Sequence, residues 1–152
     1  MAKTSVQCEF DLSASELWDL VGDFGNMSKW TGLPRDTCVA DGEGIGATRT
    51  LRLPNGGMIV DRLDAETERS YSYSIINNEE SPLPFRSYNA TLSVEPISAG
   101  KCQLDWAGEF EPDGISEQEA IDFAKAMYSR GLGMMKKAEA SLLEAKESAR
   151  KG

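Results

Sequence analysis

Apolar and polar residues alternate along most of the chain up to about residue 110, and this pattern predicts an antiparallel sheet. In the first predicted strand Val6, Cys8, Phe10 and Leu12 alternate with polar residues. Because successive side chains of a strand point to opposite faces, the sheet has one buried face and one solvated face. Six further strands are predicted at residues 37–40, 47–53, 58–63, 71–75, 88–94 and 102–110. Turn signals separate these strands at residues 64–69, 77–84 and 98–100.

Two short helices are predicted between the first and second strands. Ser13 and Glu16 have the spacing of a capping box, in which each side chain accepts a hydrogen bond from the other residue's backbone N–H group. A short helix is expected to follow and to be interrupted at Gly22. A second helical segment is expected to run toward Trp30.

The end of the chain has the period of an amphipathic helix. Ser116 and Glu119 form a second capping-box match. After them a helix of about 30 residues is predicted by helical spacing. Its apolar positions are Ala120, Phe123, Ala124, Met127, Gly131, Met134, Met135, Ala138 and Leu142. The tail from about residue 145 to 152 has little apolar content and is predicted to fray.

The predicted order is one strand, two short helices, six strands and one long helix, which indicates a single α+β domain over residues 1–152. A sheet of about seven antiparallel strands has one apolar face to cover, and one long amphipathic helix is available to cover it. The simplest arrangement is a sheet curved around the terminal helix.

The hairpin of the third and fourth predicted strands places a charge pair on an apolar face. A three-residue loop, Pro54-Asn55-Gly56, closes it with Leu51 opposite Ile59 and Arg49 opposite Asp61. Because buried charges are costly unless they are paired, such a pair marks either a structural bridge or a polar anchor in a pocket.

The composition argues against several classes of function. The chain has 25 acidic and 16 basic residues, and its net charge of -9 argues against binding to nucleic acid or to anionic membranes. It contains no histidine, which excludes Ser-His and Cys-His nucleophile pairs and histidine-bearing zinc sites. No apolar run approaches the roughly 20 residues of a membrane span. Because Cys8, Cys38 and Cys102 are odd in number and form no C-x-x-C motif, we expect a reduced, cytoplasmic compartment. We also expect no metal or cofactor, and either a monomer or a homodimer.

Five segments carry a family pattern, and they are SASELWDLVGDFGNMSKW, GEGIGATRTLRL, MIVDRLDAETERSYSYSI, SYNATLSV and QLDWAGEF. Together they resemble the START-like, or SRPBCC, helix-grip superfamily, which includes the birch-pollen allergen, lipid-transfer domains, aromatase/cyclases and plant abscisic-acid receptors. They look most like its bacterial polyketide cyclase/dehydrase branch. That branch has a tryptophan like Trp30, a glycine-rich turn leading to an arginine like Arg49, and an E-R-L strand, here Asp61-Arg62-Leu63.

The resemblance implies a helix-grip fold with an internal cavity between the sheet and the long helix. In hormone receptors of the superfamily an inward acid and a tyrosine contact the ligand, and Asp61 and Tyr88 occupy those positions here. The residues expected at the mouth of the cavity are Pro54, Asn55, Gly56, Leu83 and Pro84. The residues expected to line it are Arg49, Leu51, Ile59, Asp61, Tyr71, Tyr73, Tyr88, Leu92 and Met127, with Gly131 providing clearance.

Three functions remain open at this point. The favoured function is non-enzymatic binding of a small hydrophobic ligand, such as a lipid, a polyketide-like molecule or an aromatic molecule. The second is a cyclase or dehydratase in which Asp61 acts as base or acid and Arg49 polarises a carbonyl. The third is an interaction or chaperone-like module with a filled core. The charge pair fits a ligand anchor and a structural bridge equally well.

Overall fold

The structure is a computed structural model that describes residues 1–76 and 79–151. Its strands are β1 (Ala2–Phe10), β2 (Cys38–Asp41), β3 (Thr48–Arg52), β4 (Met58–Thr67), β5 (Ser70–Ile76), β6 (Phe85–Ser98) and β7 (Lys101–Pro112). Its α-helices are α1 (Ala14–Val21), α2 (Ser28–Thr31) and α3 (Glu117–Lys151), and a 3-10 turn at Arg35–Thr37 precedes β2. The elements follow the order that the sequence predicts.

The described residues form one seven-stranded antiparallel sheet in the order β1-β7-β6-β5-β4-β3-β2. The sheet is curved, and α3 packs against β1 and β7 on its apolar face, while α1 covers part of β6 and β7. This arrangement confirms the α+β helix-grip fold that the sequence predicts.

The β3–β4 hairpin has the predicted register. Arg49 pairs with Asp61, and Leu51 pairs with Ile59. The loop closes through a hydrogen bond from the backbone N–H of Leu53 to the carbonyl of the residue after Gly56, with an N···O distance of 2.9 Å. Gly56 takes a φ of 90°, a conformation that glycine adopts without steric cost.

Both predicted capping boxes form. The Ser13 backbone N–H donates to the Glu16 carboxylate at 2.9 Å, and the Glu16 N–H donates to the Ser13 hydroxyl at 3.1 Å. Ser116 and Glu119 make the same two contacts at 3.4 and 3.1 Å. The sequence therefore located the starts of α1 and α3 from local hydrogen bonding alone.

Strand β4 is longer than the sequence predicts, since it continues to Thr67 and leaves only residues 68–69 as the turn before β5. A β-bulge between Leu63 and Ala65 shifts the register, after which residues 65–67 pair with residues 70–72. The turn predicted at 64–69 is confirmed at 68–69 and wrong at 64–67, where polar residues continue the strand because backbone groups make the ladder. In the next predicted turn, at 77–84, residues 77 and 78 lie outside the described residues.

Helix α3 continues to Lys151, although the sequence predicts fraying from about residue 145. Its last turns contain alanine, glutamate, lysine and arginine, which all favour helix. Lys151 pairs with Glu147 at 3.2 Å, and Lys146 forms an ion pair with Glu16 of α1. These contacts maintain helical structure without apolar burial.

The buried face of α3 also differs from the predicted one. Phe123, predicted to face inward, is 39% exposed and packs edge-on against Phe85. The residues that α3 buries are Ala120, Ala124, Tyr128, Gly131, Met135 and Glu139. Tyr128 and Glu139 carry polar groups and are buried all the same. A prediction based on apolar residues alone therefore misplaced part of the buried face of α3.

Gly131 and Gly133 lie two residues apart on α3 but have different surroundings. A Cβ atom at Gly131 would lie 2.6 Å from Cζ3 of Trp106, whereas one at Gly133 would meet nothing within 4 Å. We expect Gly133→Ala to stabilise the protein by about 1 kcal/mol, because alanine favours helix. We expect Gly131→Ala to destabilise it by about 1–3 kcal/mol, because Trp106 must move. Urea unfolding measures both, and effects of the same sign would contradict this account.

Candidate functional site

A cavity of about 640 Å³ lies between the sheet and α3. Strands β3, β4 and β5 form one wall, α2 and the segment after it form a second, and α3 forms the third. Most of the side chains in these walls are apolar or aromatic. The position matches the internal cavity that the resemblance implies.

The structure brings together many of the predicted site residues around this cavity. The predicted residues that line it are Arg49, Leu51, Ile59, Asp61, Tyr73, Tyr88, Met127 and Gly131, together with Pro54 and Leu83 of the two predicted mouth loops. They come from four strands, two loops and one helix, so only the fold places them side by side.

Five predicted site residues do not line the cavity, and these are Tyr71, Leu92, Asn55, Gly56 and Pro84. The ring of Tyr71 lies between Trp18 and Phe24, with ring centroids 5.8 and 5.6 Å away. Leu92 is 1% exposed and belongs to β6, a strand that α1 helps to cover. Both residues face inward as predicted, but in this part of the sheet the inward space is filled by helix and aromatic side chains.

The cavity is also lined by residues that the sequence did not indicate as site residues, and these include Met27, Trp30, Ile75, Trp106, Tyr128 and Arg130. Trp106 shares an inward face of β7 with Leu104 and Gly108, so strand alternation could have found it. Tyr128 lies four residues after Ala124 and three before Gly131, which is the spacing of one helix face.

The Arg49–Asp61 pair lies in the cavity wall and is almost completely buried, since the two side chains are 3% and 6% exposed. Arg49 Nε donates to Asp61 Oδ2 at 2.8 Å. Arg49 Nη1 also donates to the carbonyl oxygen of Phe24 at 3.1 Å and to the hydroxyl of Tyr71 at 3.4 Å. The guanidinium therefore links β3 to β4, to β5 and to the loop after α1.

The electrostatics of this pair follow from its burial. Burial raises the pKa of the Asp61 carboxyl above its ordinary value, and the adjacent Arg49 opposes this rise. Burial acts to lower the pKa of Arg49, but Tyr71, Asp61 and Tyr73 together raise it, so the guanidinium stays a cation. The Arg49 guanidinium carbon also lies 4.2 Å from the centroid of the Phe24 ring, a favourable cation–π distance.

We expect Asp61→Leu to destabilise the protein by about 3–5 kcal/mol, because it leaves a buried cation without its partner. The double variant Arg49→Met with Asp61→Leu should recover most of this loss, because no charge remains buried. Urea unfolding of the single and double variants measures the coupling between them.

The surface pair Lys3–Glu109 provides a control, since its side chains are 71% and 45% exposed. Lys3→Met should change stability by less than about 1 kcal/mol, because solvent screens the pair. A double variant at Arg49 and Asp61 that is no more stable than Asp61→Leu would contradict the account of the buried pair.

Three tyrosines and a tryptophan form a polar cluster within the aromatic wall. Trp106 Nε1 donates to the Tyr73 hydroxyl at 3.2 Å, and the hydroxyls of Tyr88 and Tyr128 are hydrogen-bonded to each other. The rings of Trp106 and Tyr128 stack with centroids 4.6 Å apart. The Tyr128 hydroxyl lies over Gly108, where a Cβ atom would overlap it.

Burial is the main cause of raised pKa values in this cluster. It raises the pKa of Tyr128 to about 12, with the hydrogen bond to Tyr88 acting in the opposite direction. Burial also raises the pKa values of Tyr73 and Tyr88 well above the ordinary value, and neighbouring oxygens add to both shifts. The folded protein therefore favours the neutral form of all three phenols.

The raised pKa values of these three tyrosines predict how the stability of the protein depends on pH. An unfolded tyrosine loses its proton near about pH 10, whereas these three keep theirs to higher pH in the folded state. Their contribution to stability should therefore be complete below about pH 10 and be lost progressively as pH rises above about 10. The part that comes from Tyr128 should be lost as pH rises through about 12. Urea unfolding against pH measures this loss, and Tyr128→Phe should make it shallower. An unchanged slope in Tyr128→Phe would contradict the shift.

The described residues give two further findings. Across residues 1–76 and 79–151, no group of three or more cysteine or acidic side chains comes together as metal ligands would. Within the same ranges, every helix is too short or too polar to cross a membrane.

A model of the family described as polyketide cyclase / dehydrase and lipid transport matches residues 1–138 of the chain. The chain therefore belongs to this family, within the START-like superfamily that its sequence motifs predict. A comparison with curated protein sequences finds no match.

Solved structures agree with this assignment. XoxI from Bacillus cereus is 30% identical, with a TM-score of 0.79 over 93% of this chain and 98% of that one. The aromatase/cyclase Zhui from a Streptomyces species is 14% identical, with a TM-score of 0.65 over 93% of both chains. Norcoclaurine synthase from Thalictrum flavum, solved with dopamine and hydroxybenzaldehyde, is 17% identical, with a TM-score of 0.67 over 94% of this chain and 86% of that one. The last two show a shared fold.

Proposed function

We propose that this protein binds a small, mainly apolar molecule of lipid, polyketide-like or aromatic type in the cavity between its sheet and α3. The observation that carries the proposal is the cavity itself, whose volume is about 640 Å³ and whose walls are mainly apolar and aromatic. Pockets for small molecules typically measure about 300–1,000 Å³ and have walls of this kind. Burial of the ligand's apolar surface drives binding at about 25 cal/mol per Å².

The buried charges in the wall favour an uncharged ligand, since the other charged residues of the lining, Asp36, Arg52 and Arg130, are exposed. The guanidinium of Arg49 is matched by Asp61 at 2.8 Å, so this pair adds no net charge to the interior. Its other hydrogen bonds go to Phe24 and Tyr71, both parts of the protein. We therefore assign the pair to structural support of the wall, which leaves apolar contact as the main source of ligand affinity.

The neighbouring structures support an aromatic ligand by analogy of fold. Norcoclaurine synthase was solved with dopamine and hydroxybenzaldehyde, which are both single-ring phenols, and Zhui is an aromatase/cyclase. In the present cavity, the rings of Trp106 and Tyr128 and the side chain of Trp30 provide flat aromatic surface. Aromatic side chains pack well against an aromatic ligand through offset stacking and edge contacts.

The two alternative functions have less support. A cyclase or dehydratase needs a free base or acid, but Asp61 is held by Arg49 and the chain has no histidine. An interaction module with a filled core does not account for an open cavity of about 640 Å³.

Binding can be tested with ethylnaphthalene as the probe, using native mass spectrometry and thermal unfolding. A ligand at a hundred times its Kd should stabilise the protein by about 2.7 kcal/mol. Leu51→Trp should reduce affinity by about tenfold or more, because the larger ring occupies the cavity that Leu51 lines.

Val39→Trp is the matched control, because Val39 is 50% exposed on β2 and does not line the cavity. It should bind the probe as the wild type does. The proposal fails if the wild type shows neither a bound mass nor a thermal shift, or if Leu51→Trp binds with unchanged affinity.

A further inference from the structure

We infer that the ligand carries an uncharged hydrogen-bond acceptor, such as a ketone or quinone carbonyl, which accepts a hydrogen bond from the hydroxyl of Tyr73 or Tyr88. This inference rests on the proposed function and defines its ligand class more closely. It follows from the number of hydrogens in the cluster of Tyr73, Tyr88, Trp106 and Tyr128, all of which line the cavity.

The cluster has more donor hydrogens than internal contacts. Its indole N–H and three phenol O–H groups supply one hydrogen each. Trp106 uses its hydrogen on Tyr73 at 3.2 Å, and one hydrogen joins Tyr88 to Tyr128. Even when Tyr73 and Tyr88 share a further hydrogen bond, only three of the four hydrogens are used.

The position of Tyr128 indicates that the hydrogen left unused within the cluster does not belong to the Tyr128 hydroxyl. Tyr128 is 0% exposed, and its hydroxyl lies over Gly108 in the sheet. Among the described residues, the hydroxyl of Tyr88 is its one hydrogen-bond partner. Either hydroxyl of this pair can carry the shared hydrogen. A Tyr128 hydrogen directed elsewhere would be buried without an acceptor, so we assign Tyr128 as the donor and Tyr88 as the acceptor.

Tyr73 and Tyr88 therefore each accept one hydrogen bond already, from Trp106 and from Tyr128 respectively. Between them they hold two hydrogens and can make at most one contact with each other. One O–H group is left to donate, and both side chains lie in the cavity wall with 5% and 4% exposure. A ligand acceptor placed there accepts this hydrogen within an apolar site, where leaving a donor unsatisfied is costly.

The surroundings of this donor select a neutral acceptor. The nearest buried charges, Arg49 and Asp61, compensate each other at 2.8 Å. Arg52 and Arg130 also line the cavity, but both are exposed, so a carboxylate bound beside the buried tyrosines would lose its hydration without gaining a buried cation. A carbonyl loses much less on leaving water and can accept the tyrosine hydrogen bond.

The test compares acetylnaphthalene with ethylnaphthalene, two probes of similar size that differ by a carbonyl oxygen. The ratio of their affinities is measured for the wild type and for the double variant Tyr73→Phe with Tyr88→Phe. The double variant should lower the preference for the ketone by about tenfold, because both candidate donors are gone. Tyr71→Phe is the matched control, because Tyr71 does not line the cavity, and it should keep the wild-type ratio.

The carbonyl stretch of bound acetylnaphthalene provides a second measurement that needs no variant. In complex with the wild type it should lie at lower frequency than in a hydrocarbon solvent, since a hydrogen bond weakens the C=O bond. A hydrocarbon-like frequency, or an affinity ratio that the double variant leaves unchanged, overturns this inference and leaves cavity binding intact. If neither probe binds the wild type, the proposed function fails and this inference fails with it.

Discussion

One long helix has to cover the apolar face of a seven-stranded sheet, and the rest of the structure depends on this mismatch in width. Seven strands spaced about 4.8 Å apart span roughly 29 Å, whereas a helix with its side chains is about 10–12 Å wide. Helix α3 packs on β1 and β7, and α1 covers part of β6 and β7. The space over β3, β4 and β5 is left open, and the cavity lies there.

Polar groups in the wall of this space are buried in two different ways. Arg49 and Asp61 link three strands, and their opposite charges compensate each other within the pair. The tyrosine cluster is neutral, and burial keeps its phenols protonated. A cavity built this way has a low net charge inside a protein of net charge -9. Its chemistry is that of aromatic surface with a few fixed hydrogen-bonding groups.

Predictions based on neighbours in sequence were the most reliable. The register of the β3–β4 hairpin depends on a three-residue loop, and the starts of α1 and α3 depend on capping boxes, so both could be predicted from a few residues. The end of β4 could not, because a bulge after Leu63 lets polar residues continue the ladder. The face of α3 was misplaced at Phe123, because Tyr128 is buried although it carries a hydroxyl.

The sequence by itself determined the order of the elements, the inward side of each strand and the pairing of Arg49 with Asp61, because alternation and loop length act over short distances. Only the tertiary structure decided which inward residues face open space. Tyr73 and Tyr71 lie on the same face of β5, yet Tyr73 lines the cavity and Tyr71 is enclosed by Trp18 and Phe24. That difference depends on where α1, α2 and α3 lie over the sheet, and no local pattern in a strand records the position of a distant helix.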